Sequence, residues 1–284
     1  MTAPPSAATV DLQVHSTASD GAVAPADIPA LASAAQLAAI ALTDHDSTAG
    51  VAAAQTAGRA LGVRVVAGVE LSVTREDREL HILGLHVEPA GALEERLTGF
   101  RVERATRAAA IVERLRQLGV AITLDDVTRV AGGGALGRPH VARALIAAGV
   151  CRDFREAFDR YIGPGRPAYV AKPKLDVRDA VDTIHRAGGL AIWAHPAADG
   201  RRDVIESLRR EGLDGVEVLH PGHSADDVAR LSALCAYLGL VPSGGSDWHG
   251  EASGRRALGS MNVPAEWLER QDARVASRRA AGRA

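Results

Sequence analysis

Cysteine, lysine and aromatic residues are scarce in this chain of 284 residues, and each shortage excludes a class of structure or function. Its two cysteines, Cys151 and Cys235, lie far apart and form no CxxC pattern, which excludes a disulfide framework and a thiolate metal knuckle. With three Phe, three Trp and three Tyr, the core has to pack mainly from Ala, Val, Leu and Ile. Only Lys172 and Lys174 are lysines among 33 basic residues, and we interpret the abundance of arginine as genome composition, not as a nucleic-acid surface.

A long apolar run and a targeting segment are also missing. Residues 1–10 carry no positive charge and no apolar stretch, and the Ala/Leu-rich run near residues 30–42 is interrupted by Ser33 and Gln36. We therefore expect neither export nor membrane insertion, and a cytoplasmic location. The length suits one large α/β domain with an insertion, or two domains.

Short apolar runs alternate with helical stretches over most of the chain, which predicts an α/β fold with parallel strands. The seven strands that we predict cover residues 8–14, 38–42, 63–69, 80–87, 190–194, 215–219 and 240–243. The stretch 99–171 breaks this alternation with long Arg/Glu/Ala segments, and it predicts an all-helical insertion.

The predicted organisation is a barrel that the insertion divides into two parts. Its first part covers residues 1–98, the helical insertion 99–171, and the second part 172–273, while a basic tail at 274–284 is expected to be disordered. The insertion holds twelve arginines against seven acidic residues, and the remainder is acidic. A basic cap over an acidic barrel suits a polyanionic substrate, and a solvated helix face is the alternative interpretation.

Histidines and carboxylates gather at the ends of these predicted strands. The clusters are Gln13-Val14-His15, Ser19-Asp20-Gly21, Thr43-Asp44-His45-Asp46, Gly68-Val69-Glu70, His81, Ala194-His195-Pro196, His220 with His223, and Ser246-Asp247-Trp248-His249. One such histidine is usually a hydrogen-bonded loop residue, but several clusters at one rim of a barrel favour a metal site. Imidazole and carboxylate together suit Zn, Mn and Fe(II), and two or three such ions can share bridging carboxylates.

These motifs resemble those of the polymerase and histidinol phosphatase (PHP) metallohydrolases. The resemblance rests on the segments DLQVHSTASDG, ALTDHD, GVE, LHILGL, IWAHP and GSDWH, in that order along the chain. Within the insertion, GRPHVARAL and YIGPGRPAYV are similar to the branch of nucleoside 3′,5′-bisphosphate phosphatases and 5′-to-3′ exoribonucleases that act on short RNA. The resemblance implies a distorted seven-stranded (β/α)7 barrel whose all-helical insertion caps the substrate, and a metal-dependent phosphoric ester hydrolase.

The resemblance also implies a site for divalent metal ions, expected to be Mn, Fe or Zn. Transferred position by position, the first ion falls to Gln13, His15, Glu70 and Asp247, the second to Glu70 as a bridge with His81 and His195, and the third to Asp20, His45 and His249.

Gln13 departs from the family pattern, which is His-x-His at this place. Its neutral amide oxygen is a poorer ligand than imidazole for borderline metals. Three alternatives stay open: the first ion binds weakly through its other ligands, the site works with two ions, or the chain is a degenerate module that binds metal or phosphate without turnover. Because the other eight positions match, we expect an active enzyme with two or three divalent ions.

Such ions would supply hydroxide at neutral pH and neutralise a phosphate, which predicts phosphoester hydrolysis. The chain has no GxSxG segment, so direct attack by metal-held hydroxide is favoured over a covalent intermediate. For the proton that the leaving group needs, the candidates are His223, which follows the strand at 215–219, and Asp46, which follows His45.

Guanidinium groups at a helix start are the expected substrate grip, because a planar fork and backbone N–H groups both bind phosphate. Arg138 and His140 lie at such a start near Pro139, and Arg143 and Lys172 are further candidates.

The predicted function is removal of the 3′-phosphate from nucleoside 3′,5′-bisphosphates, with trimming of short RNA from its 5′ end. A phosphatase for histidinol phosphate or another small phosphomonoester is the alternative enzyme, and the degenerate module is the alternative outside that class. The expected partner is a nucleotide or short oligoribonucleotide, with no membrane and no obligate protein partner. We assign no function to His86 and His185.

Overall fold

One sheet holds all the strands that we find in the described part of the chain, residues 8–76, 78–171 and 175–281 of a computed structural model. The strands are β1 (Thr9–Val14), β2 (Leu37–Leu42), β3 (Arg64–Arg75), β4 (Arg78–Leu85), β5 (Leu190–Trp193), β6 (Gly215–Leu219), β7 (Val241–Gly244) and β8 (Val263–Pro264). The helices are α1 (Ile28–Ala34), α2 (Val51–Leu61), α3 (Ala92–Gln117), α4 (Leu124–Ala131), α5 (Arg138–Ala147), α6 (Phe154–Ala157), α7 (Val177–Arg186), α8 (Arg202–Arg210), α9 (Ala225–Leu238) and α10 (Ala265–Ala281). The α/β class and all seven predicted strands are confirmed, and β8 is a two-residue addition that the sequence did not indicate.

The sheet has the order β7-β6-β5-β4-β3-β2-β1-β8 and is nearly closed into a barrel. Its two ends meet where Val14 bridges Trp248 and where the backbone of Gly245 lies against Gln13. The expected parallel pairing is wrong for β4, which runs antiparallel to both β3 and β5. Only two residues separate β3 from β4, and a connection that short can join only antiparallel neighbours.

Apolar and polar residues alternate along β1, but its pairing with β2 is irregular over residues 11–14. Val10 and Leu12 pack in an apolar layer with Leu268 and Val275 of α10. Asp11 and Gln13 are buried as well. Asp11 accepts hydrogen bonds from Ser246 in the loop after β7, and Gln13 lies beside Glu70 and Glu217.

The helical insertion has an apolar core of its own. Ile111 and Leu115 of α3 pack there with Val127 of α4 and Leu145 of α5, and this cluster is separate from the barrel core. The first part of α3 packs on the barrel instead, through residues such as Leu97. Since α3 is one helix of 26 residues, about 39 Å long, it links cap and barrel rigidly, and the predicted boundary at residue 99 falls inside it.

The C-terminal region departs from the sequence-based expectation of a disordered basic tail. Residues 274–281 belong to α10, in which Val275 is buried and Arg278 contacts the carboxylate of Asp214. The charge of these arginines is thus used in docking the helix on the barrel, while residues 282–284 lie outside the described part. None of the described helices combines the length and the apolar character that crossing a membrane requires.

Candidate metal centre

The rim formed by the carboxyl ends of the parallel strands brings together eight of the nine predicted metal positions. Their side-chain ligand atoms form three groups, each spanning no more than 4.8 Å: His15, Asp20, His45 and His249; Glu70, His81 and His195; and His15, Glu70 and Asp247. The groups overlap through His15 and Glu70, so they make one centre. These groups match the sets that the resemblance implied, except that Gln13 is not among them and that His15 also joins Asp20, His45 and His249. Their role as ligands stays a prediction.

The direction of β4 decides which of its two histidines reaches this rim. Because β4 is antiparallel, its first residues lie beside the carboxyl end of β3, and His81 pairs with Ser72 there. His86, at the other end of β4, lies instead against Gln271 and Asp272 of α10. His185 on α7 likewise lies outside the centre, so both residues that were assigned no function fall away from it.

Glu70 is the carboxylate around which the centre is arranged. Its Oε2 atom lies 3.1 Å from Nε2 of His15 and 3.6 Å from Nδ1 of His45. Its Oε1 atom lies 2.6 Å from Nδ1 of His81 and 3.3 Å from Nε2 of His195. The two oxygens of Glu70 therefore face two different sets of imidazoles, which is the arrangement of a bridging ligand.

Asp20 and Asp247 complete the two outer sides. Nε2 of His249 lies 3.3 Å from Oδ1 of Asp20, and Nε2 of His15 lies 3.3 Å from Oδ1 of Asp247. The rings of His15 and His249 stack with their centroids 4.3 Å apart. Each carboxylate thus faces imidazole nitrogens that can act as metal donors once they have lost their protons.

Several of these buried nitrogens lie close to carboxylate oxygens, as near as 2.6 Å, yet none makes a well-aligned hydrogen bond with a described residue. They include both ring nitrogens of His15, Nδ1 of His45 and Nδ1 of His81. Buried polar atoms in proteins are otherwise almost always paired, because an unpaired one costs about 1–3 kcal/mol. Nitrogens without partners that sit beside carboxylate oxygens fit a divalent cation of the kind that imidazole and carboxylate bind.

The charges of the centre shift its pKa values strongly. Burial acts to lower the pKa of His15, but contacts with Asp247 and Glu70 outweigh it and raise that pKa well above its usual value. Burial acts to raise the pKa of Glu70, but the surrounding imidazoles bring it well below its usual range. The pKa of His81 is raised to about 9, because contacts with Glu70 outweigh burial. Without cations, protons therefore take the place of positive charge here, and cation binding has to displace them.

Strained backbone surrounds the centre. Asp46, His195, Ala197 and Asp247 have φ values of 49°, 37°, 42° and 52°, in the left-handed region that such residues rarely adopt. Each such residue costs on the order of 1–3 kcal/mol, and this strain persists only where the surroundings enforce it. At His195, the backbone N–H donates to Oε2 of Glu217 at 2.7 Å, which helps to enforce that conformation.

Gln13 is fully buried beside the group of His15, Glu70 and Asp247. Its amide lies between the carboxyl groups of Glu70 and Glu217. When its nitrogen faces Glu217 it donates to both oxygens of that residue, at 2.8 and 3.1 Å. The opposite end of the amide then lies 3.4 Å from Oε2 of Glu70. Burial raises the pKa of Glu217 well above its usual value, and the charges of Asp247 and Glu70 add to that effect.

The two candidates for the leaving-group proton are both engaged elsewhere. Nδ1 of His223 donates to the carbonyl of Val218 at 2.9 Å, and its Nε2 accepts the N–H of Ala197 at 3.1 Å. His223 therefore holds two loops together, and neither ring nitrogen is free to give a proton. Asp46 accepts a hydrogen bond from Arg104 of α3 at 2.5 Å, so it joins the cap to the barrel as an ionised partner. Neither setting suits a general acid.

The substrate-binding candidates lie on α5 of the cap, next to the centre. Arg138 donates to Glu79, whose carboxylate is 3.7 Å from His81, and Arg143 donates to the carbonyl of Asp20. Arg138 is thus separated by one residue from the predicted ligand His81, and Arg143 contacts the backbone of the predicted ligand Asp20.

The remaining two candidates differ in what the structure says of them. His140 is buried, and its Nδ1 accepts the N–H of Gly137, so it caps the start of α5. This position fits a structural residue better than one that touches substrate. Lys172 lies outside the described residues.

A cavity of about 290 Å³ opens onto the centre and reveals two residues that the sequence analysis left without a role, His220 and Arg256. Nδ1 of His220 accepts the N–H of Gly222, so its Nε2 carries the proton, and that atom has no partner among the described residues. Arg256 contacts the carboxylate of Asp247. The signal for His220 was its place directly after β6, whereas Arg256 lies in a loop without any motif.

Comparison with known proteins agrees with this geometry. The model of the PHP domain family matches residues 11–130. A 3′,5′-nucleoside bisphosphate phosphatase of Chromobacterium violaceum is 38% identical over 259 residues, which cover 89% of this chain and 91% of that protein. A 5′-3′ exoribonuclease of Haemophilus influenzae is 35% identical over 245 residues, covering 84% and 89%.

Among solved structures, a protein of Bifidobacterium adolescentis assigned as a metal-dependent phosphoesterase superposes with a TM-score of 0.86 at 30% sequence identity. The match covers 95% of this chain and 98% of that one. The likeness therefore extends over the barrel and the helical insertion together.

Proposed function

Because the chain belongs to the PHP domain family and is a metal-dependent phosphoesterase, we propose that it removes the 3′-phosphate of nucleoside 3′,5′-bisphosphates and trims short RNA from its 5′ end. Two relatives whose names carry these activities support the proposal, and both align with most of the chain. Mn, Fe or Zn as the ions, and a cytoplasmic location, stay predictions.

The observation that carries the proposal is one cavity onto which three overlapping His/carboxylate groups open. The residues of these groups would hold divalent ions, which would supply an activated water and neutralise phosphate oxygens. The chain itself orients the ligands. Glu70 is held in β3 with an oxygen toward each set of imidazoles, and the loops after β5 and β7 hold His195 and Asp247 in a left-handed backbone conformation.

The proposed substrate carries two phosphates, and the cap offers groups for the one that is not cleaved. Arg138 donates to Glu79 and Arg143 donates to the carbonyl of Asp20, so both guanidinium groups lie next to the metal groups. Guanidinium forks bind phosphate oxygens in pairs, which favours a bisphosphate or an RNA 5′-phosphate over a single small ester. Lys172 belongs to the proposed set on sequence grounds.

His220 and Arg256 would hold the phosphate that is cleaved. Both line the cavity beside Asp247, and both present N–H groups to it. His220 is nearly fully buried, so its Nε2–H would be satisfied by a phosphate oxygen when substrate is bound.

The test is release of inorganic phosphate from adenosine 3′,5′-bisphosphate with added Mn²⁺, compared with release from histidinol phosphate. We expect the bisphosphate to be hydrolysed with a kcat/KM at least about tenfold higher, because one more charge-assisted phosphate contact is worth about that factor. A 5′-phosphorylated oligoribonucleotide should yield mononucleotides from its 5′ end.

Matched variants locate the activity. His195→Ala and Asp247→Ala should lose turnover while keeping the fold. His86 lies at the far end of β4, so His86→Ala should retain turnover. A preference for histidinol phosphate would favour the small-phosphomonoester phosphatase instead. No turnover of any of these esters, with metal bound, would leave the degenerate module.

A further inference from the structure

The amide of Gln13 has one donor end and one acceptor end, and its surroundings distinguish them. On one side both oxygens of Glu217 lie within hydrogen-bond distance of the amide. If an oxygen faced Glu217, a proton on that carboxyl group would have to join the two, and the nitrogen would make one long contact of 3.4 Å with Glu70. With its donor end toward Glu217, the amide makes two shorter hydrogen bonds that need no such proton.

This orientation turns the amide oxygen of Gln13 toward the group of His15, Glu70 and Asp247. The amide oxygen then lies 3.4 Å from Oε2 of Glu70. Nε2 of His15 lies 3.1 Å from that same Oε2 atom and 3.3 Å from Oδ1 of Asp247. Two ligands at right angles, each about 2.1 Å from a shared ion, lie about 3 Å apart. The oxygens of Gln13 and Glu70 have no proton to share at 3.4 Å, so their approach fits a cation held by both together with His15 and Asp247.

Glu217 is what holds the amide in place. It is fully buried on β6, and its Oε2 atom also accepts the backbone N–H of His195. Its position is therefore set by β6 and by the loop after β5, both independent of Gln13. Outer hydrogen bonds of this kind orient metal ligands, and their loss typically costs 10–100-fold in metal affinity.

We propose that Glu217 orients Gln13 as an oxygen ligand of the first ion, so that this position is oxygen-rich and prefers Mn²⁺ over Zn²⁺. The inference rests on the metal centre of the proposed function. Three of its four donor atoms are oxygens, from Gln13, Glu70 and Asp247, whereas the group of Glu70, His81 and His195 supplies two imidazoles. Carboxylate and carbonyl oxygens suit Mn²⁺, and imidazole suits Zn²⁺.

The experiment measures metal binding without substrate. Protein freed of metal with a chelator is equilibrated with Mn²⁺, with Zn²⁺ and with both, and ions per chain are counted by elemental analysis and by titration calorimetry. Wild type should bind three Mn²⁺, and in the mixture one Mn²⁺ should resist exchange. Gln13→Leu, which has a similar size but no oxygen, should bind two ions, with first-site affinity lower by at least about tenfold. Glu217→Gln should weaken the same ion by a smaller factor.

Gln13→His serves as a second variant, since imidazole restores a donor and a lone pair. This variant should still bind three ions. In the mixture, Zn²⁺ should displace the Mn²⁺ of the first site at a ratio of Zn²⁺ to Mn²⁺ about tenfold lower than the wild type requires. The matched control is Gln271→Leu, which removes another buried amide, one that bonds to Pro242 and His86 far from the centre, and which should leave ion number unchanged.

Equal ion numbers and affinities in wild type and Gln13→Leu would overturn the inference, as would unchanged metal preference in Gln13→His. In that case Glu217 is protonated and donates to the amide oxygen, with the amide nitrogen turned toward Glu70. Failure of the proposed function looks different: three ions would bind with the predicted preference, yet no phosphate would be released.

Discussion

The docking of α10 on the barrel gives a sharp prediction about stability, because the sequence alone favoured a disordered tail. Arg278 of α10 donates to both oxygens of Asp214 and to the carbonyl of Gly189. Asp214 is buried and also accepts hydrogen bonds from His185 at 2.8 Å and from the N–H of Ala191 at 2.9 Å. We expect Arg278→Met, which keeps the apolar stem of the side chain, to destabilise the protein.

The size of the effect follows from what remains. A buried carboxylate left without any partner costs about 3–5 kcal/mol, but Asp214 would keep His185 and Ala191. A hydrogen bond to a charged group contributes about 1.5–3 kcal/mol, and Arg278 is one-third exposed, so solvent screening reduces its share. We therefore expect a loss of about 2 kcal/mol in the free energy of unfolding.

The pH dependence has a definite sign. Burial acts to raise the pKa of Asp214, but the hydrogen bonds from His185, Arg278 and Ala191 outweigh it and hold the pKa below 3.8, its unperturbed value. An acid with a depressed pKa stabilises the fold above its unfolded pKa, and that contribution is lost as pH falls through the folded pKa. The difference between wild type and Arg278→Met should therefore be complete at pH 6 to 7 and shrink below about pH 4.

The assay is urea unfolding followed by circular dichroism, with Arg279→Ala as the control. Arg279 is the next residue of α10 and is exposed, so its replacement should change the free energy of unfolding by no more than about 0.5 kcal/mol. If Arg278→Met and Arg279→Ala are equal within that margin, α10 is not docked through Asp214.

Three further predictions concern the centre. Glu70→Gln should remove metal and lower kcat by at least about 100-fold, measured by elemental analysis and phosphate release; full metal content with full activity would contradict the bridging role. Arg256→Ala should raise KM about tenfold while its neighbour variant Arg255→Ala does not, and equal KM values would remove Arg256 from the substrate site. Gly245→Ala places a Cβ 2.5 Å from the backbone nitrogen of Gln13 and should cost about 1–3 kcal/mol; unchanged urea unfolding would refute that contact.

Much of the centre was readable from the sequence, because its residues follow strands. An apolar run that alternates with helices predicts a parallel strand, and the polar residue after it then lies at a shared rim. His15, His45, His195 and Asp247 were placed in this way, and the structure brings all four to that rim. The family resemblance supplied the order of the motifs and the three sets.

The errors have different physical origins. The direction of β4 follows from the two-residue connection to β3, which the sequence did not indicate because β3 extends to Arg75, past the predicted end at residue 69. That direction sends His81 to the centre and His86 away. Both ring nitrogens of His223 are hydrogen-bonded to the backbone, one to Val218 and one to Ala197. No spacing in the sequence predicts these hydrogen bonds. Charge alone could not tell whether the last arginines are solvated or paired.

By itself, then, the sequence determined the α/β class, the strands and the identity of most residues at the rim, since these depend on local periodicity and on residue type. Only the tertiary structure decided how each polar group is used. Gln13 read as a weakened ligand until Glu217, 204 positions further along, was found against its amide. A hydrogen bond has direction as well as distance, and directions between separate strands exist only once the sheet has closed.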